Sequence, residues 1–244
     1  MKQRPIVFTG AEVTSTQRGE KTQLRRVVNF PHHNRLVVWE PTTIGGPDGG
    51  HTTAGETVPL QGGIWHTRTG DSLICPLGQP GDRLWVREAF RFIAQFDDDS
   101  PARVADRCLD AGYRQAWAPI RFEADGRTRD WASIGASSQP SDTPGRLRPA
   151  RHMPIWASRL LLKIVSIRVE RLQAISEADA RAEAAQIEEH HTRGYCAGES
   201  RPPSIRGFRD AWNHDHAARG DAWDANPWVW VISFRLAANA ASGE

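Results

Sequence analysis

The alternation of apolar and polar residues along the chain predicts a protein built mostly of strands. The closing segment 228–236 (WVWVISFRL) is apolar on both faces, which is typical of a central strand. Residues 5–8 and 21–28 are also predicted to be extended, and 159–172 to be a long strand or a bent pair of strands. The order of elements contains no repeating strand–helix–strand unit, so we expect an α+β fold.

One predicted strand, over residues 83–88, carries a carboxylate on its apolar face. Alternation places Leu84, Val86 and Glu88 on one side of this strand. The other side carries an aromatic residue between two arginines: Arg83, Trp85 and Arg87. A carboxylate that points inward needs a partner. Glu88 is therefore predicted to be either half of a structural ion pair or part of a pocket.

A capped helix is predicted to begin at Ser176. Ser176 and Asp179 fit the capping-box pattern, with Asp in the acidic position. An apolar stripe follows at three- and four-residue spacing: Ala180, Ala184 and Ile187. Glu183 lies beside this stripe, so it either flanks the buried face of the helix or is a plain surface residue.

The charges of the chain are segregated, although its net charge is only +2. Residues 1–40 hold seven Lys or Arg against three acids, and residues 146–172 hold seven against one. Residues 173–199 hold six acids against two arginines. If the two basic segments meet in space, they form a surface that attracts phosphate.

The sequence contains no pattern typical of a metal site, a cofactor site or a membrane span. The three cysteines, Cys75, Cys108 and Cys196, are far apart, and no CxxC pair or glycine-rich phosphate loop occurs. We therefore expect no zinc site, no disulfide framework and no cofactor. The chain also has no apolar run of membrane-spanning length and no signal-peptide pattern, so a cytoplasmic protein without a membrane partner is expected.

Five segments, taken together, resemble the ASCH-domain family, most closely the large ASCH-like proteins common in phage and prophage genomes. They are GEKTQLRR (19–26), CPLGQPGDRLWVRE (75–88), RPARHMPIWASR (148–159), VERLQAISEADARAE (169–183) and NPWVWVISF (226–234). The resemblance implies a single PUA-like domain over 1–244, with a mixed β-barrel and peripheral helices. Long inserted loops are then expected at three places: about 29–74, 93–147 and 188–225.

The resemblance also implies a nucleobase-sized pocket beside the segment Lys21–Arg26. The best-understood enzymes of the family are small bacterial amidohydrolases that act on 4-acetylcytidine. Lys21 and Glu183 match their catalytic Lys and Glu, and Arg26 matches their Arg. Leu24 stands where these enzymes keep a catalytic Thr, so a water molecule is expected to replace the missing hydroxyl.

Further matched residues are implied to contact the partner, which is a nucleoside or a single-stranded nucleic acid. They are Thr22, Arg25, Arg26, Trp85, Glu88, His152 and Arg159. His152 is either a core histidine or a proton carrier. Arg159 either binds phosphate or neutralises Glu88.

Three functions are compatible with the sequence. The first is an amidohydrolase acting on N-acylated cytidine-type substrates. The second is a non-catalytic module that binds RNA or single-stranded DNA, and the third is a ribonuclease with Lys21 and His152 as acid and base. In a purely structural alternative, Lys21 and the arginines only bind phosphate, while Glu183 pairs with one of them.

Overall fold

The computed structural model describes residues 1–31, 38–47, 55–129, 143–188, 192 and 201–237. Within them the chain is a mixed α+β protein in which strands predominate, as the sequence predicts. It divides into two compact units. The first contains 1–2, 19–82 and 163–235, and the second contains 3–18, 83–162 and 236–244. A single ASCH-type domain and a closed barrel both stay predictions.

The first unit contains a sheet formed by β2 (Gln23–Val27), β10 (Leu161–Arg171) and β11 (Trp228–Leu236). β11 lies between the other two strands and pairs antiparallel with β2, with Ile232 opposite Leu24. Its consecutive buried residues confirm the prediction of a central strand. A second, antiparallel sheet comprises β3 (Trp39–Ile44), β4 (Gln61–His66) and β5 (Ser72–Ile74).

Two helices of the first unit, α3 (Glu177–Ala182) and α4 (Pro203–His216), pack on a common core. The core residues come from these helices, from β11 and from the segments beside them: Leu172, Ile175, Ala180, Ile205, Phe208, Trp212, Trp223, Val229 and Val231. The capping box of α3 is confirmed, because Ser176 Oγ accepts from Asp179 N and Asp179 Oδ2 accepts from Ser176 N.

The predicted apolar stripe of α3 is wrong beyond Ala180. The helix ends at Ala182, because the backbone turns into the left-handed region at Ala184, where φ is +56°. Ile187 consequently lies beyond the helix and is half exposed. This early end leaves Glu183 as the last residue before the turn.

The second unit pairs β1 (Gln3–Val7) in parallel with β6 (Arg83–Arg87). Its other elements are α1 (Gly10–Gln17), β7 (Phe90–Phe92), α2 (Pro101–Asp110), β8 (Ile120–Phe122) and β9 (Thr128–Arg129). Its aromatic core includes Phe90, Phe92 and Phe122. In the part of the chain that the structure describes, no helix is long and apolar enough to cross a membrane.

Candidate functional site

The start of β2 meets the end of α3, and this contact positions Lys21 against Glu183. Lys21 Nζ lies 3.0 Å from Glu183 Oε2 and also donates to the Glu183 carbonyl at 3.1 Å. Their side chains are only 4% and 7% exposed. These two residues, 162 positions apart in the sequence, form a buried ion pair.

The same contact satisfies the carbonyl groups that a helix leaves without partners at its C-terminus. Two are bonded within the closing turn: Ala185 N donates to Ala180 O, and Ala184 N donates to Arg181 O, which is the Schellman pattern. The next two are bonded by the chain that enters β2, since Thr22 N donates to the Ala182 carbonyl and Lys21 Nζ to that of Glu183. The position of Glu183 is thus determined by backbone as well as side-chain contacts.

Arg25 holds the other oxygen of the Glu183 carboxylate. Arg25 Nη1 donates to Glu183 Oε1 at 3.0 Å and to Gln23 Oε1 at 2.8 Å, and Nη2 donates to Glu170 Oε1 at 2.6 Å. The Arg25 side chain has no exposed surface. It therefore supports Glu183 in this structure and does not present its charge to an external phosphate.

Arg168 closes the network on its solvent side. Its Nε lies 3.0 Å from Glu170 Oε2, and its Nη2 lies 2.9 Å from Asp179 Oδ1. Burial alone would raise the pKa of Asp179, but hydrogen bonds from Ser176, Arg168 and Gln23 outweigh it and lower the pKa to about 2. Burial lowers the pKa of Arg168, and its bonds to Glu170 and Asp179 more than reverse this, so that the pKa lies above its usual value.

These residues form what we call the Lys21 cluster: Lys21, Arg25, Arg168, Glu170, Asp179 and Glu183. Its three cations come from the two basic segments of the sequence, and two of its three carboxylates come from the acidic segment 173–199. The opposite charges balance within the cluster. The phosphate-attracting surface expected from the basic segments is therefore not formed by Lys21 and Arg25, because both are buried against carboxylates.

The remaining residues of the predicted pocket segment lie next to the cluster. The strand alternation directs Leu24 and Arg26 away from the face that carries Gln23 and Arg25. Leu24 is fully buried. Arg26 is half-buried and donates from Nη1 to the carbonyl of Arg25, while Thr22 is exposed. The Leu24 side chain thus adds no hydroxyl and lies on the opposite side of the strand from Arg25.

The second unit holds a separate ion-pair group around Arg159. Arg159 Nε and Nη2 each lie 2.8 Å from an oxygen of Glu88, which is 1% exposed, and Nη1 lies 2.9 Å from Asp125 Oδ2. Burial raises the pKa of Glu88, and Arg159 offsets this only in part. Of the two roles predicted for Arg159, the structure shows neutralisation of Glu88.

A cavity of about 150 Å³ lies in the second unit and includes two of the predicted contact residues, Trp85 and Arg159. It is lined by Gln3, Trp85, Ile155, Ser158, Arg159, Leu160 and Leu161. His152 lies on a short 3-10 turn, Ala150–His152, and is exposed. The interpretation of His152 as a core histidine is therefore wrong.

Sequence reasoning missed two carboxylates that complete these groups. Glu170 lies two residues after Arg168 on β10, and this spacing, which puts both side chains on one face of a strand, was the available signal. Asp125 belongs to a turn between β8 and β9, and no pattern in the sequence marks it. Among the described residues, no group of three or more His, Cys, Asp or Glu is arranged to hold a metal ion.

No family model, curated protein or solved structure matches the chain.

Proposed function

We propose that the Lys21 cluster is the active site of an ASCH-type amidohydrolase that removes the acyl group from an N-acylated cytidine-type nucleoside. The observation that carries the proposal is the buried pair of Lys21 Nζ and Glu183 Oε2, 3.0 Å apart. These are the two residues that match the catalytic Lys and Glu of the resembling enzymes. The proposed enzyme is cytoplasmic and uses no cofactor.

The chemistry needs an activated oxygen, stabilisation of the developing oxyanion and a proton for the leaving amine. A water molecule adds to the acyl carbon, and Glu183 accepts its proton. The Lys21 ammonium faces the negative charge that develops on the acyl oxygen. The carbon–nitrogen bond then breaks, the proton passes to the exocyclic nitrogen of the base, and the products are a carboxylic acid and the free nucleoside.

Arg25 and Lys21 each occupy one oxygen of Glu183, and this is compatible with a base role. A carboxylate has about four lone-pair sites, so two donors do not exhaust it. The Leu24 side chain supplies no hydroxyl, so the nucleophile is a water molecule rather than a positioned side chain, and we therefore expect slow turnover.

The test is incubation of the protein with 4-acetylcytidine, followed by chromatographic detection of cytidine. The wild type should release cytidine, and Lys21→Ala and Glu183→Gln should each lower the rate by roughly 100-fold or more. Arg121→Gln, at an exposed position of β8, is the matched control and should leave the rate unchanged. Absence of turnover by the wild type, or turnover that survives Lys21→Ala, would contradict the proposal.

A second candidate function is a non-catalytic module that binds RNA or single-stranded DNA. It is favoured by Leu24, which leaves the site without the hydroxyl of the family, and by Arg26, whose side chain is not wholly buried. Binding that weakens with added salt and in Arg26→Ala, without any loss of acyl groups from 4-acetylcytidine, would favour this function. No binding at low salt would remove it.

A further inference from the structure

One side of strand β6, in the second unit, carries a buried tryptophan between two half-buried arginines. In β6, Arg83, Trp85 and Arg87 share one side of the strand, because side chains two positions apart point the same way. At about 3.3 Å per residue, each arginine is roughly 7 Å along the strand from Trp85. The Arg87 guanidinium carbon lies 4.5 Å from the centre of the Trp85 ring.

These two arginines have no carboxylate partner among the described residues, in contrast to Arg159 and Arg91 of the same unit. Arg159 is held by Glu88 and Asp125, and Arg91 by Glu123. Within the described ranges, Arg87 donates only to the backbone carbonyl of Arg151, and Arg83 forms no hydrogen bond or ion pair. The Nε atoms of both are buried without a partner among these residues. Their positive charges are therefore not compensated by nearby acids.

The cavity of about 150 Å³ lies beside this ring, with Gln3 and Trp85 among its lining residues. An engineered apolar cavity of similar volume, about 150 Å³, binds benzene. The cavity beside Trp85 therefore has room for one six-membered ring. Its lining includes both apolar side chains, such as Ile155 and Leu160, and polar ones, such as Gln3 and Ser158.

We propose that this face is a nucleotide-binding site, in which an aromatic base enters the cavity beside Trp85 and a phosphate group is bound by Arg87 and Arg83. The proposal combines three properties of the site: an aromatic residue in the cavity wall, a ring-sized space, and two guanidinium groups without carboxylate partners on the strand face that carries Trp85. Arg159 is not the phosphate ligand, because its guanidinium already holds two carboxylates. The site is separate from the reaction proposed for Lys21 and Glu183, so either proposal can fail without the other.

The shared chemistry, a base joined to a phosphate, occurs in a free nucleotide and in a single-stranded nucleic acid. The probes are therefore CMP, cytidine, inorganic phosphate and an eight-nucleotide oligocytidylate, each titrated calorimetrically at low salt. Binding of the oligocytidylate no tighter than that of CMP identifies a free nucleotide as the ligand. Tighter binding of the oligomer through the same arginines identifies a single strand.

The variants are Arg83→Gln and Arg87→Gln, with Arg121→Gln as the matched control. CMP should bind more tightly than either cytidine or phosphate. Each of the first two variants should raise its Kd about tenfold, since each loses a charge-assisted bond. The control should stay within about twofold of the wild type. Equal weakening in all three variants, CMP binding no tighter than phosphate, or no binding of any probe would overturn the proposal.

Discussion

At the scale of single residues, the candidate active site consists of buried side chains whose opposite charges neutralise one another. Lys21 and Arg25 share the carboxylate of Glu183, and none of the three is more than slightly exposed. An isolated charge in such a place costs several kcal/mol, so each of these side chains requires the others. Removal of one member of the cluster should therefore destabilise the fold, whether or not the cluster performs catalysis.

Removal of Arg25 should be far more damaging than removal of its neighbour Arg26. Arg25→Gln leaves Glu170 and Glu183 short of a partner and should lower the free energy of unfolding by about 3–5 kcal/mol. Arg26→Gln loses one bond to a backbone carbonyl and should cost about 1 kcal/mol. Urea denaturation of both variants measures the difference. Similar losses in the two variants would show that Arg25 is not the centre of the network.

The acidity of Asp179 predicts how stability depends on pH. Its pKa falls from 3.8 to about 2 on folding, so the folded state holds its proton less tightly than the unfolded state does. Its stabilising contribution is then present above pH 4 and is lost as the pH falls through 2. Asp179→Asn should be less stable than the wild type by up to about 2 kcal/mol at pH 7, and the gap should narrow towards pH 2. A gap that does not change with pH would contradict this role.

At the scale of elements, helix α3 is short because of its C-terminal turn. The turn requires a left-handed residue, and Ala184 occupies that position, where glycine is usual. The bonds that close the helix come from this turn and from the chain entering β2. Glu183 is therefore positioned by the end of the helix rather than by its apolar face.

Replacement of Ala184 by glycine should stabilise the protein. Glycine adopts the left-handed conformation without the strain of a Cβ atom, which amounts to about 1 kcal/mol. We expect Ala184→Gly to raise the free energy of unfolding by up to that amount, and Ala182→Gly, inside the helix, to lower it by a similar amount. Thermal unfolding of the pair checks both signs.

At the scale of the whole molecule, the sequence predicted the elements better than the contacts between them. The alternation of 228–236 identified the central strand, and Ser176 with Asp179 identified the start of a helix. The end of that helix was missed, because a left-handed alanine leaves no mark in a pattern of polar and apolar residues. Lys21 and Glu183 were singled out by the resemblance, whereas Asp125 and Glu170 became visible only through their contacts.

The segregated charges of the sequence have a further consequence for the molecule as a whole. Cations of the basic segments meet carboxylates of the acidic segment inside the first unit, where water and salt do not reach them freely. Dissolved salt screens exposed pairs strongly and buried pairs much less. A half-exposed pair for comparison, Arg91 with Glu123, lies in the second unit, with both side chains 30% exposed.

The destabilisation caused by Arg25→Gln should therefore change little between about 0.1 M and 1 M sodium chloride, over which the Debye length falls from about 10 Å to 3 Å. The smaller effect of Arg91→Gln, expected at under about 1 kcal/mol, should shrink over the same range. Urea denaturation at each salt concentration gives both differences. If the effect of Arg25→Gln fades with salt as that of Arg91→Gln does, the Lys21 cluster is open to solvent. Its charges would then be accessible to a phosphate group. This result would favour the RNA- or DNA-binding function over the amidohydrolase.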